Sequence, residues 1–297
     1  MTDTLAPVIQ AILSGLLLGG VYSIIALGVS LVWGVMKVVN FAHGSIVILT
    51  AYGAYWFFNL LGMNPLLSIF ICAPLFFVVS YGLQLLLVKP IEVRAIGAEF
   101  EMATMIILFG LSIAIQSLIL FFWKANVRLI LLSYFGTPSF DLGGFFLSTP
   151  HVVSLIIALA AVGVTALFLQ RTYTGKAIRA TAQDRDAAMI VGVNVSKMSS
   201  LAFAIGGGLL AAVAGVVISI GYPWGPSSDL LWCIKGFIVV VLGGAGSIVG
   251  VLAGAFILGI AENLAAMALP SIFRDAISLS IFILIMLFRP KGVFGKV

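Results

Sequence analysis

Six stretches of this chain contain no charged residue: 4–36, 38–88, 102–123, 142–170, 198–228 and 236–261. A bilayer crossing takes about 20 apolar residues in a helix, and each of the six is long enough. In lipid the backbone must satisfy its own hydrogen bonds, which leaves helices or a closed barrel. Barrel strands alternate apolar and polar residues over segments of about 10, whereas Leu155–Phe168 and Ile277–Phe288 do not alternate. Only 8% of the 297 residues are charged and mean hydropathy is +1.26; a soluble domain carries roughly 25% charged residues. The chain reads as all-α, a polytopic helical membrane protein with about eight transmembrane helices, forming one membrane domain over 1–297.

The formal charge of +5 fits basic residues marking cytoplasmic loops and gives no reason to expect a nucleic-acid partner. Cys72 and Cys233 lie in or beside apolar spans, so no disulfide framework is indicated. The opening MTDTLAP lacks the basic residues of a cleaved signal peptide, and the first span is expected to be retained.

Helices are expected over about Val8–Val35, up to Leu61, Pro65–Val88, Met102–Trp123, His151–Gln170, Leu201–Ile220 and Ser271–Phe288. Small residues Ser14, Gly15, Gly19, Gly20 and Ser23 in the first would let a neighbouring backbone approach closely. Gly62-Met-Asn-Pro65 reads as a turn, and residues 124–150 as a mixed loop. Residues 234–267 are apolar but split by Gly243-Gly-Ala-Gly246. At 1.5 Å per residue they extend about 51 Å, short for two full passes, so a broken or re-entrant pair hinged at the glycines is expected. Such backbone is tolerated only where protein or water covers it, which points to a solute pathway. Gly44-Ser-Ile-Val47 recurs as Gly246-Ser-Ile-Val249. The echo suggests two halves that each contribute a broken helix near the bilayer middle, as in transporter folds; chance in so apolar a sequence is the alternative.

The polar residues at these breaks are the pathway candidates: Asn40, His43, Gly44 and Ser45 at one, Gly246, Ser247 and the intramembrane Glu262 at the other. Ionisable groups at membrane depth are functional candidates by default. Helix N-termini at Ser45 and Ser247 would present free N–H groups to an anionic or zwitterionic solute. Lys37 and Lys235 read as lysines reaching an interface, and Arg274 with Asp275 as an interfacial pair. No phosphate-binding GxxxxGK[ST], HExxH or spaced Cys/His cluster occurs, so the chain is not expected to hydrolyse ATP, to be an enzyme, or to bind a metal or cofactor itself.

Residues 171–200 are a charged island holding five of the fifteen basic residues. Charge bias puts this loop and the basic C-terminal tail in the cytoplasm. Two short helices are expected, about Lys176–Ala182 and Arg185–Val191. Asp184 is a good N-cap for the second, with Asp186 in its first turn, and Gly192 suits the left-handed position after its end. The second helix exposes Met189 and Ile190. From the residues alone it is either a solvated linker or a knob for a partner's groove.

The island resembles the cytoplasmic coupling loop of branched-chain amino-acid ABC permeases at Gly175, Lys176, Ala177, Arg179, Ala180, Asp184, Ala187, Ala188 and Gly192, with Arg185 beside them. GVYSIIALGVSLVWGVMKVVNFAHGS, VVLGGAGSIVGVLAGAFILG and LFRPKGVFG follow the family in the expected order. The likeness is to the shorter, LivH-like, of its two permease subunits. It implies an importer in the bacterial cytoplasmic (inner) membrane. Implied partners are a second, LivM-like permease, two cytoplasmic ATPases that use ATP and Mg, and an extracytoplasmic solute-binding protein. Closely similar permeases serve urea and short amides, so the solute stays open between these and branched-chain amino acids. A secondary transporter or channel working alone would leave the island unexplained.

Overall fold

The computed structural model describes residues 2–95, 97–130, 139–141, 144–270 and 273–288, without the side chains of 2–4. The basic tail from Arg289 and part of the 124–150 loop lie outside the described residues. Helices run over Thr2–Met36 (α1), Ala42–Leu61 (α2), Ile69–Arg94 (α3), Ala98–Trp123 (α4) and Thr149–Arg171 (α5). Tyr173–Gln183 (α6) and Arg185–Ile190 (α7) form the island, followed by Val195–Gly221 (α8), Asp229–Gly243 (α9), Ile248–Ala268 (α10) and Arg274–Phe288 (α11). Among the described residues, eight helices or helix runs are long and apolar enough to cross a membrane. A small hairpin of two three-residue strands, β1 (Ser139–Asp141) with β2 (Phe146–Ser148), lies against Gln10 at the end away from the island.

The small residues of α1 do what their spacing allows. A Cβ on Gly15 would strike the Gly259 and Ile260 backbone, and one on Gly19 the Ala255 and Phe256 backbone. With no hydrophobic drive between helices in lipid, such close backbone contact supplies the packing. The pairs 15 with 259 and 34 with 246 fix α1 and α10 as antiparallel. In α1 and α8 about four-fifths of the most apolar window is buried (78% and 83%), in α4 only 22%. The first two are central posts; α4 presents apolar side chains outward.

α8 carries a π-helical segment, Ala204–Leu210, where Gly206-Gly207-Gly208 falls. π segments are rare and concentrate at functional sites. Here the wide turn and missing side chains bring Gly206 onto the Gly28 carbonyl.

The two breaks differ from the expectation in one respect. Gly244 and Gly246, both at φ +83°, form the hinge between α9 and α10. The hinge does not lie midway through the bundle: the Gly246 N–H donates to Ser30 Oγ (3.0 Å) and its Cα lies near Gly34, toward the island end of α1. α9 and α10 form the expected re-entrant pair hinged at the glycines, an antiparallel hairpin, but its hinge lies at the island end and not near the middle of the bundle. This is possible in so few residues because α9, at 15 residues, spans only about 22 Å and starts inside the bundle at Asp229. The first break is the deeper one. After Lys37, at φ 59°, residues 37–41 turn back from the end of α1 without helical structure. They bring Asn40 against Gly207 and His43 against Gly28.

Candidate functional site

The sequence-selected pathway residues fall in three places. Asn40 and His43 occupy the first. Both side chains are buried, and neither has a partner at normal hydrogen-bond geometry, although the Ile25 backbone faces His43. Buried polar groups are overwhelmingly paired, so two orphans, Asn40 in the non-helical break and His43 in the first turn of α2 just after it, beside a π segment, mark a place built for something other than packing. His43→Ala should lower the solute transfer rate more than it lowers the amount of inserted protein, since the ring makes no hydrogen bond of normal geometry. Equal rates in flux and membrane-level assays would return His43 to packing.

Gly44 and Ser45 make the second place. α2 begins at Ala42 with Phe41 as its N-cap, so Ser45 sits a turn inside and is not the free N-terminus expected from sequence. A Cβ at Gly44 would collide with the Asp229 carbonyl. Ser45 Oγ donates to Asp229 Oδ2 (2.7 Å) and lies 2.8 Å from Ser112 Oγ, while Gln116 Nε2 donates to Asp229 Oδ1 (3.0 Å). A buried carboxylate thereby ties the starts of α2 and α9 to α4. Asp229, Ser112 and Gln116 were missed in sequence; the only signal was an acid opening an apolar span.

Gly246 and Ser247 form the third, at the hinge. Ser247 is a true N-cap, its Oγ accepting from the Gly250 N–H (3.0 Å). Gly246 lines a recess with Ser30, Gly34, Ile178 and Arg179, so the hinge touches the island.

Glu262 lies apart from all three. Tyr22 Oη donates to its Oε2 (2.7 Å), Ser278 Oγ donates to its Oε1, and Lys235 Nζ sits 3.3 Å from Oε2. Lys235 also pairs with Asp275 (3.0 Å). The expected Arg274–Asp275 pair is therefore replaced by one across helices, and Lys235, 12% exposed in its side chain, is an inward lysine. The network joins α1, α9, α10 and α11.

The island folds as an elbow. Thr172 Oγ1 accepts from the Gly175 N–H (3.0 Å), and a Cβ at Gly175 would overlap the Phe168 carbonyl. Asp184 Oδ1 accepts from the Asp186 and Ala187 N–H groups, and Gly192 holds φ +84°. Gly175, Ala177, Ile178 and Ala188 are buried and fasten the elbow, Ala180 is half-buried, and Arg185 pairs with Glu92 (2.5 Å). Lys176, Arg179 and Ala187 are exposed, and Met189, Ile190 and Val191 form an apolar ridge at 54, 86 and 76% exposure.

A buried helical bundle with two backbone breaks, lined by glycine and orphan polar groups and carrying a projecting elbow, is the architecture of a multi-pass membrane permease. The chain belongs to the family described as the branched-chain amino acid transport system permease component, which matches residues 11–288. It is 28% identical to the high-affinity branched-chain amino acid transport system permease protein BraD of Pseudomonas aeruginosa, over 97% of this chain and 96% of that one. It is 28% identical to LivH of Escherichia coli K12, over 100% and 98%. It is 32% identical to the probable branched-chain amino acid transport permease protein LivH of Methanocaldococcus jannaschii, over 92% of this chain and 88% of that one. No solved structure matches the chain.

Proposed function

We propose that this chain is the shorter permease subunit of a binding-protein-dependent ABC importer for branched-chain amino acids in the bacterial cytoplasmic membrane. The observation that carries the reading is the capped elbow with its exposed Met189–Val191 ridge, on a chain whose relatives along the whole length are permeases of such systems. An apolar ridge flanked by basic residues and held off the bundle is suited to a groove on another protein. In this reading two ATPase subunits receive the elbows of this chain and of a second permease, and supply the ATP and Mg chemistry. A solute-binding protein delivers from the opposite end.

In this reading the elbow and C-terminus face the cytoplasm, the side that basic residues favour. Since α1 runs toward the elbow, its N-terminal end faces outward. The solute pathway runs past Asn40, His43, Gly44 and Ser45 toward the Gly246–Ser247 hinge, where motion of the elbow is passed to α10 through the recess between Arg179 and Gly246.

Radiolabelled uptake into membranes carrying the chain with its partners, comparing leucine, urea and an unrelated sugar, tests the reading. ATP-dependent accumulation of leucine is expected. Urea uptake without leucine uptake would make it a urea or amide importer, and uptake of either without ATP would refute the coupling role.

A further inference from the structure

At the end of the bundle away from the elbow, Arg128 is enclosed by aromatic rings. Its guanidinium carbon lies 4.6 Å from the Tyr55 ring centroid and 5.6 Å from those of Tyr52 and Trp56. Trp224 stands edge-on to Tyr52 at 4.6 Å, and Tyr52 stacks on Trp123 at 4.9 Å. The cage is rigid because the Arg128 backbone exchanges two hydrogen bonds with that of Trp224 (2.7 and 3.0 Å) and Arg128 Nη2 donates to the Trp123 carbonyl (3.3 Å).

The cage is unsatisfied in a particular way. Arg128 Nε, Trp56 Nε1 and Trp224 Nε1 lack a hydrogen bond of normal geometry, as does the Tyr52 hydroxyl, although it faces the Arg128 guanidinium, and Trp224 and Tyr52 are wholly buried. Each of these groups can donate. No carboxylate among the described residues forms an ion pair with Arg128. Aromatic faces hold a guanidinium by cation–π attraction but accept none of its in-plane N–H bonds. What such a set lacks is a planar anion with several lone pairs, and a carboxylate fits a guanidinium fork.

We propose that Arg128, with Tyr52, Trp56 and Trp224, is a binding site for the carboxylate of the incoming solute at the mouth of the permease. This rests on the importer reading and sharpens its substrate class: solutes with a carboxylate are accepted, and neutral solutes such as urea are not.

The test uses the transporter assembled in nanodiscs, with tryptophan emission titrated against 4-methylpentanoate (carboxylate and side chain only), 3-methylbutylamine (amine and side chain only) and urea. Saturable change is expected with the carboxylate alone. Arg128→Gln should weaken it roughly tenfold or more, the loss of a charge-assisted hydrogen bond, with Arg128→Lys in between because the fork is lost and the charge kept. Unchanged carboxylate affinity in Arg128→Gln, or equal response to the amine, overturns the site. So does a loss of binding-protein affinity that is the same with and without solute, which would give the guanidinium to an acidic side chain of that protein. Carboxylate binding that depends on Arg128 in a transporter that takes up no leucine would leave the site standing and defeat the amino-acid reading instead.

Discussion

Replacing Lys235 with methionine is expected to destabilise the bundle by about 3–5 kcal/mol, the usual penalty for removing one partner of a buried ion pair. Glu262 is fully buried, and without Lys235 it keeps only the Tyr22 and Ser278 hydroxyls. Asp275, half-exposed, can turn to water and loses little. Thermal unfolding of the detergent-solubilised protein should show the loss as an earlier transition. The double variant Lys235→Met, Glu262→Met should recover most of it, because apolar side chains of similar length remove the desolvation penalty together with the attraction. The same variant separates two roles for Glu262. Both its oxygens are engaged by the chain's own groups, so uptake is expected to return with stability. A double variant that folds and does not transport would put the carboxylate in the solute pathway.

What the sequence disclosed follows from the range of the forces involved. Gly62 at φ 62°, Asp184 as N-cap and Gly192 at φ +84° end or start helices as their local chemistry dictates, because capping is settled within three or four residues. The small-residue stripe of α1 was legible for the same reason, though not its partner on α10. The site's contacts were hidden because they join distant positions: Tyr22 with Glu262 across 240 residues, Ser45 with Asp229 across 184. Lys235 was read as interfacial because its acid lies 27 residues on, beyond the hinge that folds α10 back against α9. The repeated Gly-Ser-Ile-Val shows the limit most directly. One copy sits inside a helix against Asp229, and the other supplies the N-cap at the elbow end. Four residues cannot set the depth at which a chain re-enters a bundle; that is decided by the path leading into them. Arg128 stood out only as a base of the 124–150 loop because its cage assembles from three separate segments of the chain.

The elbow offers the other large effect. Ile190, 86% exposed, touches too little of its own chain to support the fold, so Ile190→Asp should leave insertion and thermal stability unchanged. A carboxylate in the centre of an apolar contact is buried without a partner, which costs several kcal/mol in a closed interface. ATP-dependent uptake should therefore fall to background, with solute no longer stimulating the ATPase. Ala187→Glu, at an exposed position on the same short helix, should act alike. Ala188→Glu should not: Ala188 is 3% exposed, and a buried glutamate there would unseat the elbow, seen as less folded protein before any question of coupling arises. Lys176→Ala, at an exposed position whose contribution is charge alone, should weaken coupling only modestly and mostly at low salt, as a screened surface charge does. Normal uptake in a stable Ile190→Asp protein would mean that the ridge docks nowhere. The contrast between Ile190→Asp and Ala188→Glu tells a surface that receives the ATPase from a loop that merely closes the bundle.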